Sequence, residues 1–173
     1  MFELKKTVAL VGMMGSGKSA IGKVVSSIID VPFKDADVEI EQAAKLSIPE
    51  IFERHGEKFF RDKEDQIIKR LLREKSCILA TGGGAFMNKK IRASIKEQGV
   101  SVWLNADLET LWKRVKHKRT RPLLRTHNPK ETLRSIYTDR IKTYSLADII
   151  VDSHDKSSLE EMAKLIIKSL LDR

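Results

Sequence analysis

The sequence predicts an α/β domain, a parallel sheet covered by helices on both faces. Three observations carry this. Five short apolar runs, rich in β-branched residues, alternate with segments of helical period: Thr7–Val11, Val31–Lys34, Cys77–Thr81, Val100–Leu104 and Asp148–Asp152. The chain has 173 residues, 41% hydrophobic and 33% charged, with no linker, repeat or low-complexity tract, so residues 1–173 read as a single domain with a sizeable core. A glycine-rich turn, Gly12 to Gly17, joins the first strand to the first helix.

The elements follow in order. Ala20, Ile21, Val24, Val25, Ile28 and Ile29 mark one face of the first helix. Ser47-Ile48-Pro49-Glu50 combines a capping box with proline in the first turn, and Gly56 is expected to end that short helix. Phe60, Ile67, Ile68, Leu71 and Leu72 lie on a longer helix beyond it. Leu108, Leu111, Trp112 and Val115 repeat at helical spacing, which makes Trp112 a core residue. Asn128-Pro129-Lys130-Glu131 opens the next helix, and Ser157-Ser158-Leu159-Glu160 opens the last.

Composition excludes several classes. The single cysteine, Cys77, permits no intrachain disulfide and fits a reducing, cytoplasmic setting. No run approaches 18 apolar residues, so no membrane span is expected. Lys5-Lys6 and the apolar stretch after it imitate a signal peptide, but Gly12 interrupts the stretch, and it ends in Gly-Ser-Gly-Lys instead of a small-x-small site. Most of the net charge of +9 comes from Lys113, Arg114, Lys116, Lys118, Arg119, Arg121 and Arg125, with no acid between them. Such a stripe favours an anionic partner. It lacks the interleaved aromatics that stack on bases, so a phosphate ligand is favoured over nucleic acid.

In parallel sheets ligands bind at the carboxyl ends of the strands, and the candidate chemistry lies there. Gly12-Met13-Met14-Gly15-Ser16-Gly17-Lys18-Ser19 follows the first strand and fits the phosphate-loop pattern. Glycines let successive N–H groups turn toward phosphate oxygens, Lys18 can reach the β- and γ-phosphates, and the Ser19 hydroxyl suits Mg²⁺. Asp35 and Asp37 follow the second strand and, in extended chain, project from one side. One can hold Mg²⁺ and the other accept a hydroxyl proton, although aspartate there is also an ordinary helix cap. Gly82-Gly83-Gly84 follows the third strand, either a loose turn or a close approach to backbone, with Thr81 near the metal and phosphates. Arg140 interrupts the apolar stripe of Leu133, Ile136, Tyr137, Ile141 and Tyr144, and a buried arginine needs an acid or an anionic ligand. Arg61 opens another apolar face, with Glu64 at i+3 as a salt-bridge partner. Two inward arginines suit a substrate carboxylate.

Taken in order, Gly12–Ser19, Asp35-x-Asp37, Phe60-Arg61, Gly82-Gly83-Gly84, Arg121-Pro122-Leu123-Leu124 and Arg140 resemble the shikimate kinases across nearly the whole chain. The resemblance implies a three-layer α/β/α P-loop kinase with a five-stranded parallel sheet in order 2-3-1-4-5. It also implies a shikimate-binding lobe at about 33–61 and a lid at about 116–127. The implied reaction is transfer of the γ-phosphate of ATP, the co-substrate, to the 3-hydroxyl of shikimate, a step toward chorismate and the aromatic amino acids. By motif, Gly15, Ser16, Gly17, Lys18, Ser19 and Ala20 should bind ATP, with Arg114 near adenine and Arg121 at the phosphates. Asp37, Arg61, Gly82, Gly83, Gly84 and Arg140 should bind shikimate, and Ser19 and Asp35 should serve Mg²⁺. Lys18, Asp37 and Arg121 should be catalytic, and further adenine contacts should fall near 153–156. A monomer with no nucleic-acid or membrane partner is expected. Gluconate-type and nucleotide kinases share the loop and lid but not the full set, and a basic nucleic-acid-binding protein is the alternative from another class.

Overall fold

Alternation along the first strand, β1 (Thr7–Val11), decides the architecture. Val8 and Leu10 face one side, Ala9 and Val11 the other, and all four are fully buried. A strand buried on both faces needs helices on both faces. The computed structural model describes residues 4–173 and supplies them. The remaining elements are α1 (Lys18–Ile29), β2 (Phe33–Asp35), α2 (Ala36–Ala44), α3 (Ile48–Arg73), β3 (Ile78–Ala80), α4 (Lys89–Gln98), β4 (Gly99–Ala106), α5 (Leu108–Val115), α6 (Pro129–Tyr144), β5 (Ile149–Ser153) and α7 (Leu159–Leu171). The five strands pair in parallel in the order β2-β3-β1-β4-β5, as the resemblance implies.

One core lies between the sheet and α1 with α7, where Ile21, Val25, Met162 and Ile166 meet Val8, Leu10, Val102 and Leu104. The other places Ile68, Leu71, Ile91, Ile95, Leu111 and Leu133 against Ala9, Val11, Leu79 and Trp103. Trp112 is partly buried against that second core. Among the described residues no helix is long and apolar enough to cross a membrane.

Several boundaries differ from the sequence reading. β2 starts at Phe33, because Pro32 has no N–H for the ladder, although its carbonyl accepts from Ile78 N at 2.9 Å. β5 starts after Asp148, whose carboxylate instead accepts from Ser101 N at 2.9 Å and Ser101 Oγ at 2.8 Å. Ser47 and Glu50 form the expected capping box. Gly56 ends the first helical segment as expected (φ 81°, ψ 173°), and the longer one begins at once, so α3 is two helices joined at a kink. α2 bears out the helix-cap alternative for the aspartate pair, while α4 has no counterpart in the sequence reading. Their buried faces are short, Ala36 with Ile40 and Ile91 with Ile95, too few residues for a periodic signal.

Gly22 lets α1 sit close to the sheet, since a Cβ there would lie 2.7 Å from the Phe33 ring and 3.0 Å from Leu10 Cδ1. Gly22→Ala should therefore destabilise by about 1–3 kcal/mol despite the better helix propensity of alanine. Urea unfolding measures this, and adding Phe33→Leu should restore part of the loss. A stabilised Gly22→Ala protein would contradict the packing described.

Candidate active site

The carboxyl ends of β1, β2 and β3 lie side by side, so their following loops converge. The loop after β1 needs glycine at residue 15, where φ is +81° and a Cβ would stand 2.7 Å from Val115 Cγ1. Its residues wrap a buried lysine, as Lys18 Nζ donates to the carbonyls of Gly12 (2.8 Å) and Met13 (2.9 Å) and to Ser16 Oγ (3.4 Å). Burial pushes the Lys18 pKa down to about 8, against the pull of Asp37 and Asp35. Ser16 is itself buried, with its N–H on the Met13 carbonyl, and its side chain faces the lysine. Arg114 Nη1 donates to the Gly15 carbonyl at 3.1 Å, joining α5 to the loop.

The two aspartates divide their work in a way that extended geometry does not anticipate. α2 begins at Ala36, and Asp35 is its cap, accepting from Asp37 N at 3.0 Å. The other oxygen of Asp35 accepts from Ser19 Oγ at 2.5 Å. Capping and facing the phosphate loop are thus one residue's simultaneous tasks. Asp37, in the first turn of α2, turns Oδ1 inward, buried and without a hydrogen-bond partner. Burial and the neighbouring Asp35 raise its pKa, while Lys18 and Arg121 oppose them.

The glycine triplet is a close approach. A Cβ at Gly84 would stand 2.5 Å from Arg61 Nη1, and one at Gly82 would stand 2.7 Å from Glu64 Oε2 and 3.1 Å from Asp37 Oδ1. Thr81 donates its hydroxyl to the Leu10 carbonyl at 2.8 Å, stitching β3 to β1, and it lines the same cavity as Lys18, Ser19 and Asp35. Arg61 donates to Glu64 Oε1 at 2.9 Å and to Glu57 at 3.3 Å, so its salt bridge exists alongside its approach to the triplet. Glu64 is 1% exposed with Oε2 unpartnered, and burial raises its pKa against the Arg61 charge. Arg140 Nη1 is buried without a partner, and no acid pairs with Arg140 among the described residues. Arg121 Nε is likewise buried and unpartnered.

These side chains line two cavities. The first, about 500 Å³, runs past Gly15, Gly17, Lys18, Ser19, Ala20, Asp35, Arg114 and Lys118. Ser153, Ser157, Leu159 and Met162 also line it, of which only Ser153 falls within the 153–156 stretch that the resemblance implies. The second, about 370 Å³, is lined by Phe52, Phe60, Arg61, Glu64, Gly84 and Arg140. Both include Met14, Asp37, Gly82, Gly83 and Arg121. Glu64 was read only as a salt-bridge partner. Its one sequence signal is an acid on the apolar face of Phe60, Ile67 and Ile68.

A phosphate loop that opens onto a second cavity lined by three guanidinium groups, Arg61, Arg121 and Arg140, with the carboxylate of Asp37 where the two meet, defines a P-loop kinase of a small anionic acceptor. A family model described as shikimate kinase matches residues 14–171. The shikimate kinase of Ruegeria pomeroyi is 55% identical over 170 residues, covering 98% of this chain and 87% of the relative. That of Cereibacter sphaeroides is 54% identical over 173 residues, covering 100% and 86%. The solved structure of shikimate kinase from Acinetobacter baumannii in complex with shikimate has a TM-score of 0.95 at 32% identity, covering 99% of this chain and 96% of that one. The chain belongs to the shikimate kinase family, and its activity is ATP-dependent phosphorylation of a shikimate hydroxyl.

The displaced pKa values give a pH signature. Lys18 loses its charge as pH rises through about 8, so ADP affinity should fall above that pH, as titration calorimetry can measure. In Lys18→Met the affinity should be weak and flat over the same range. The raised Asp37 pKa should place the acid limb of kcat/KM above the ordinary carboxylate range. An alkaline fall in affinity that persists in Lys18→Met would refute the assignment.

Proposed function

We propose that Lys18, Asp37 and Arg121 are the residues at which the γ-phosphoryl group of ATP passes to the 3-hydroxyl of shikimate. The observation that supports this is the meeting of the two cavities at Asp37 and Arg121. A nucleotide in the first and an acceptor in the second would present phosphate and hydroxyl to the same carboxylate and the same guanidinium.

In this reading the N–H groups from Gly15 to Ala20 and the start of α1 hold the ATP phosphates. Ser16 contributes through its backbone and its bond with Lys18. Arg114, Ser153, Ser157, Leu159 and Met162 take the base. Arg61 and Arg140 grip the acceptor carboxylate, each offering a planar fork of donors. The backbones of Gly82, Gly83 and Gly84 form the acceptor's floor, and Phe52 and Phe60 contribute apolar wall. Asp37 accepts a hydrogen bond from the acceptor hydroxyl. Its raised pKa makes it a stronger base than an exposed aspartate. Lys18 and Arg121 place positive charge where charge develops on the transferring group.

Ser19 and Asp35 fit Mg²⁺. They set two hard oxygens 2.5 Å apart beside the phosphate loop, and Mg²⁺ takes its other ligands from phosphates and water. When bound, Mg²⁺ neutralises phosphate charge. Residues 33–61 serve as the acceptor lobe and 116–127 as a lid that brings Arg121 inward and excludes water. Both cavities lie within one chain, which supports a monomer. The absence of interleaved aromatics on the basic segment supports phosphate binding over nucleic acid, and a cytoplasmic setting follows from the substrates.

ADP release should require shikimate and Mg²⁺ and should not occur with gluconate or nucleoside monophosphates. Lys18→Ala should abolish most turnover while the protein remains folded by circular dichroism. Arg140→Lys keeps the charge but loses the fork, and should weaken shikimate binding by about 1.5–3 kcal/mol with the ATP KM unchanged. A normal shikimate KM in that variant, with ATP binding altered, would overturn the role given to Arg140.

A further inference from the structure

α6 ends on Tyr144, one helical turn beyond Arg140. The residue is 1% exposed, and its ring stacks on Trp103 of β4 with centroids 5.8 Å apart and planes at 25°. A leucine or phenylalanine would fill that space. The hydroxyl, however, donates to the carbonyl of Gly83, inside the glycine triplet. Burial pushes the phenol pKa up to about 12 against the pull of Arg140, so the group remains a donor at every working pH.

Gly83 is the point where α6 meets the phosphate loop. A Cβ there would lie 3.3 Å from Met14 N and 3.4 Å from Arg140 Nη1. Arg140 takes part in no ion pair among the described residues, and its Nη1 has no acceptor. Packing against Gly83 and the neighbouring Tyr144 hydroxyl, which lies within hydrogen-bonding influence of Arg140, are what hold that guanidinium. Three consecutive glycines have more conformational freedom than any other tripeptide, so the surface Arg140 packs on must itself be fastened.

We infer that Tyr144 is a positioning residue for acceptor binding: its hydroxyl ties Gly83 to α6 and so fixes where the Arg140 fork points before the acceptor carboxylate arrives. This rests on the reading of Arg140 as a carboxylate grip. Preorganisation of this kind improves affinity by removing an ordering cost from the binding step. Gly83 also borders the phosphate loop, but Arg140 lines only the second cavity, so the larger effect falls on the acceptor.

Tyr144→Phe keeps the ring on Trp103 and removes only the hydroxyl. The shikimate KM should rise about 3–10-fold, the range set by one net hydrogen bond, while the ATP KM stays within about two-fold. Trp103→Phe is the structural control, expected to lower the melting temperature with the shikimate KM unchanged. In an Arg140→Lys background, Tyr144→Phe should add less than about two-fold, because the geometry it protects is already lost. An unchanged shikimate KM in Tyr144→Phe, while Arg140→Lys raises it, would defeat the positioning role and leave the Arg140 reading standing. Equal rises in both KM values would likewise defeat it, as general loosening. A normal shikimate KM in Arg140→Lys would sink the reading first and this inference with it.

Discussion

Two anions must be held side by side in one cleft, so the protein has to crowd Lys18, Arg61, Arg121 and Arg140 around a shared wall. Like charges in a partly dry site repel strongly. The structure answers with two acids placed among them, Asp37 and Glu64, each with an unpartnered buried oxygen. The raised pKa values of these acids and the lowered pKa of Lys18 share burial as their largest cause. A strongly buried parallel sheet is the frame that tolerates this. β1 is covered on both faces, and the ends of β2 and β3 are locked beside it by ladder bonds and by Thr81 on the Leu10 carbonyl. The cleft is costly in electrostatic terms and rigid in its support.

How far the sequence exposes this depends on distance along the chain. Strand alternation, the phosphate loop and the Ser47–Glu50 capping box are local patterns, and they read correctly to within a residue or two. Arg140 stood out because a charge broke an apolar helical stripe, and its unpaired Nη1 is what such a break implies. The aspartate pair was visible as a pair but not in its geometry. Pro32 delays β2, and the helix start at Ala36 turns an extended dipeptide into a cap and a first-turn residue. Glu64 gives only the signal of an acid on an apolar face, and Tyr144 reads as an ordinary member of its helix stripe. Only the fold brings one to Asp37 and the other to Gly83. Ser157, Leu159 and Met162 of the first cavity carry no motif, and the resemblance points only to 153–156 beside them.

The charge surplus has a local explanation as well. Lys118 and Arg121 from the basic segment line the cavity at the phosphate loop, and Thr120, Arg121 and Leu123 line the second cavity. Leu124 is buried and anchors the segment to the core beside them. Lys113 is tied to Asp155 at 2.8 Å, which joins the end of α5 to the loop after β5. Anionic ligands entering from solvent therefore meet a positive rim before they meet the buried groups, a distribution that speeds encounter more than it strengthens binding.

The wall common to the two cavities has a further consequence. Met14, Gly82 and Gly83 line both cavities, so they form a wall common to the two. A ligand that joined a carboxylate-bearing ring to a nucleotide through a short tether would cross that wall beside Asp37. Its second half would then bind at a high effective concentration set by the tether, without any new contact. The passage between the two cavities is thus the part of the site most addressable by a single bridging inhibitor.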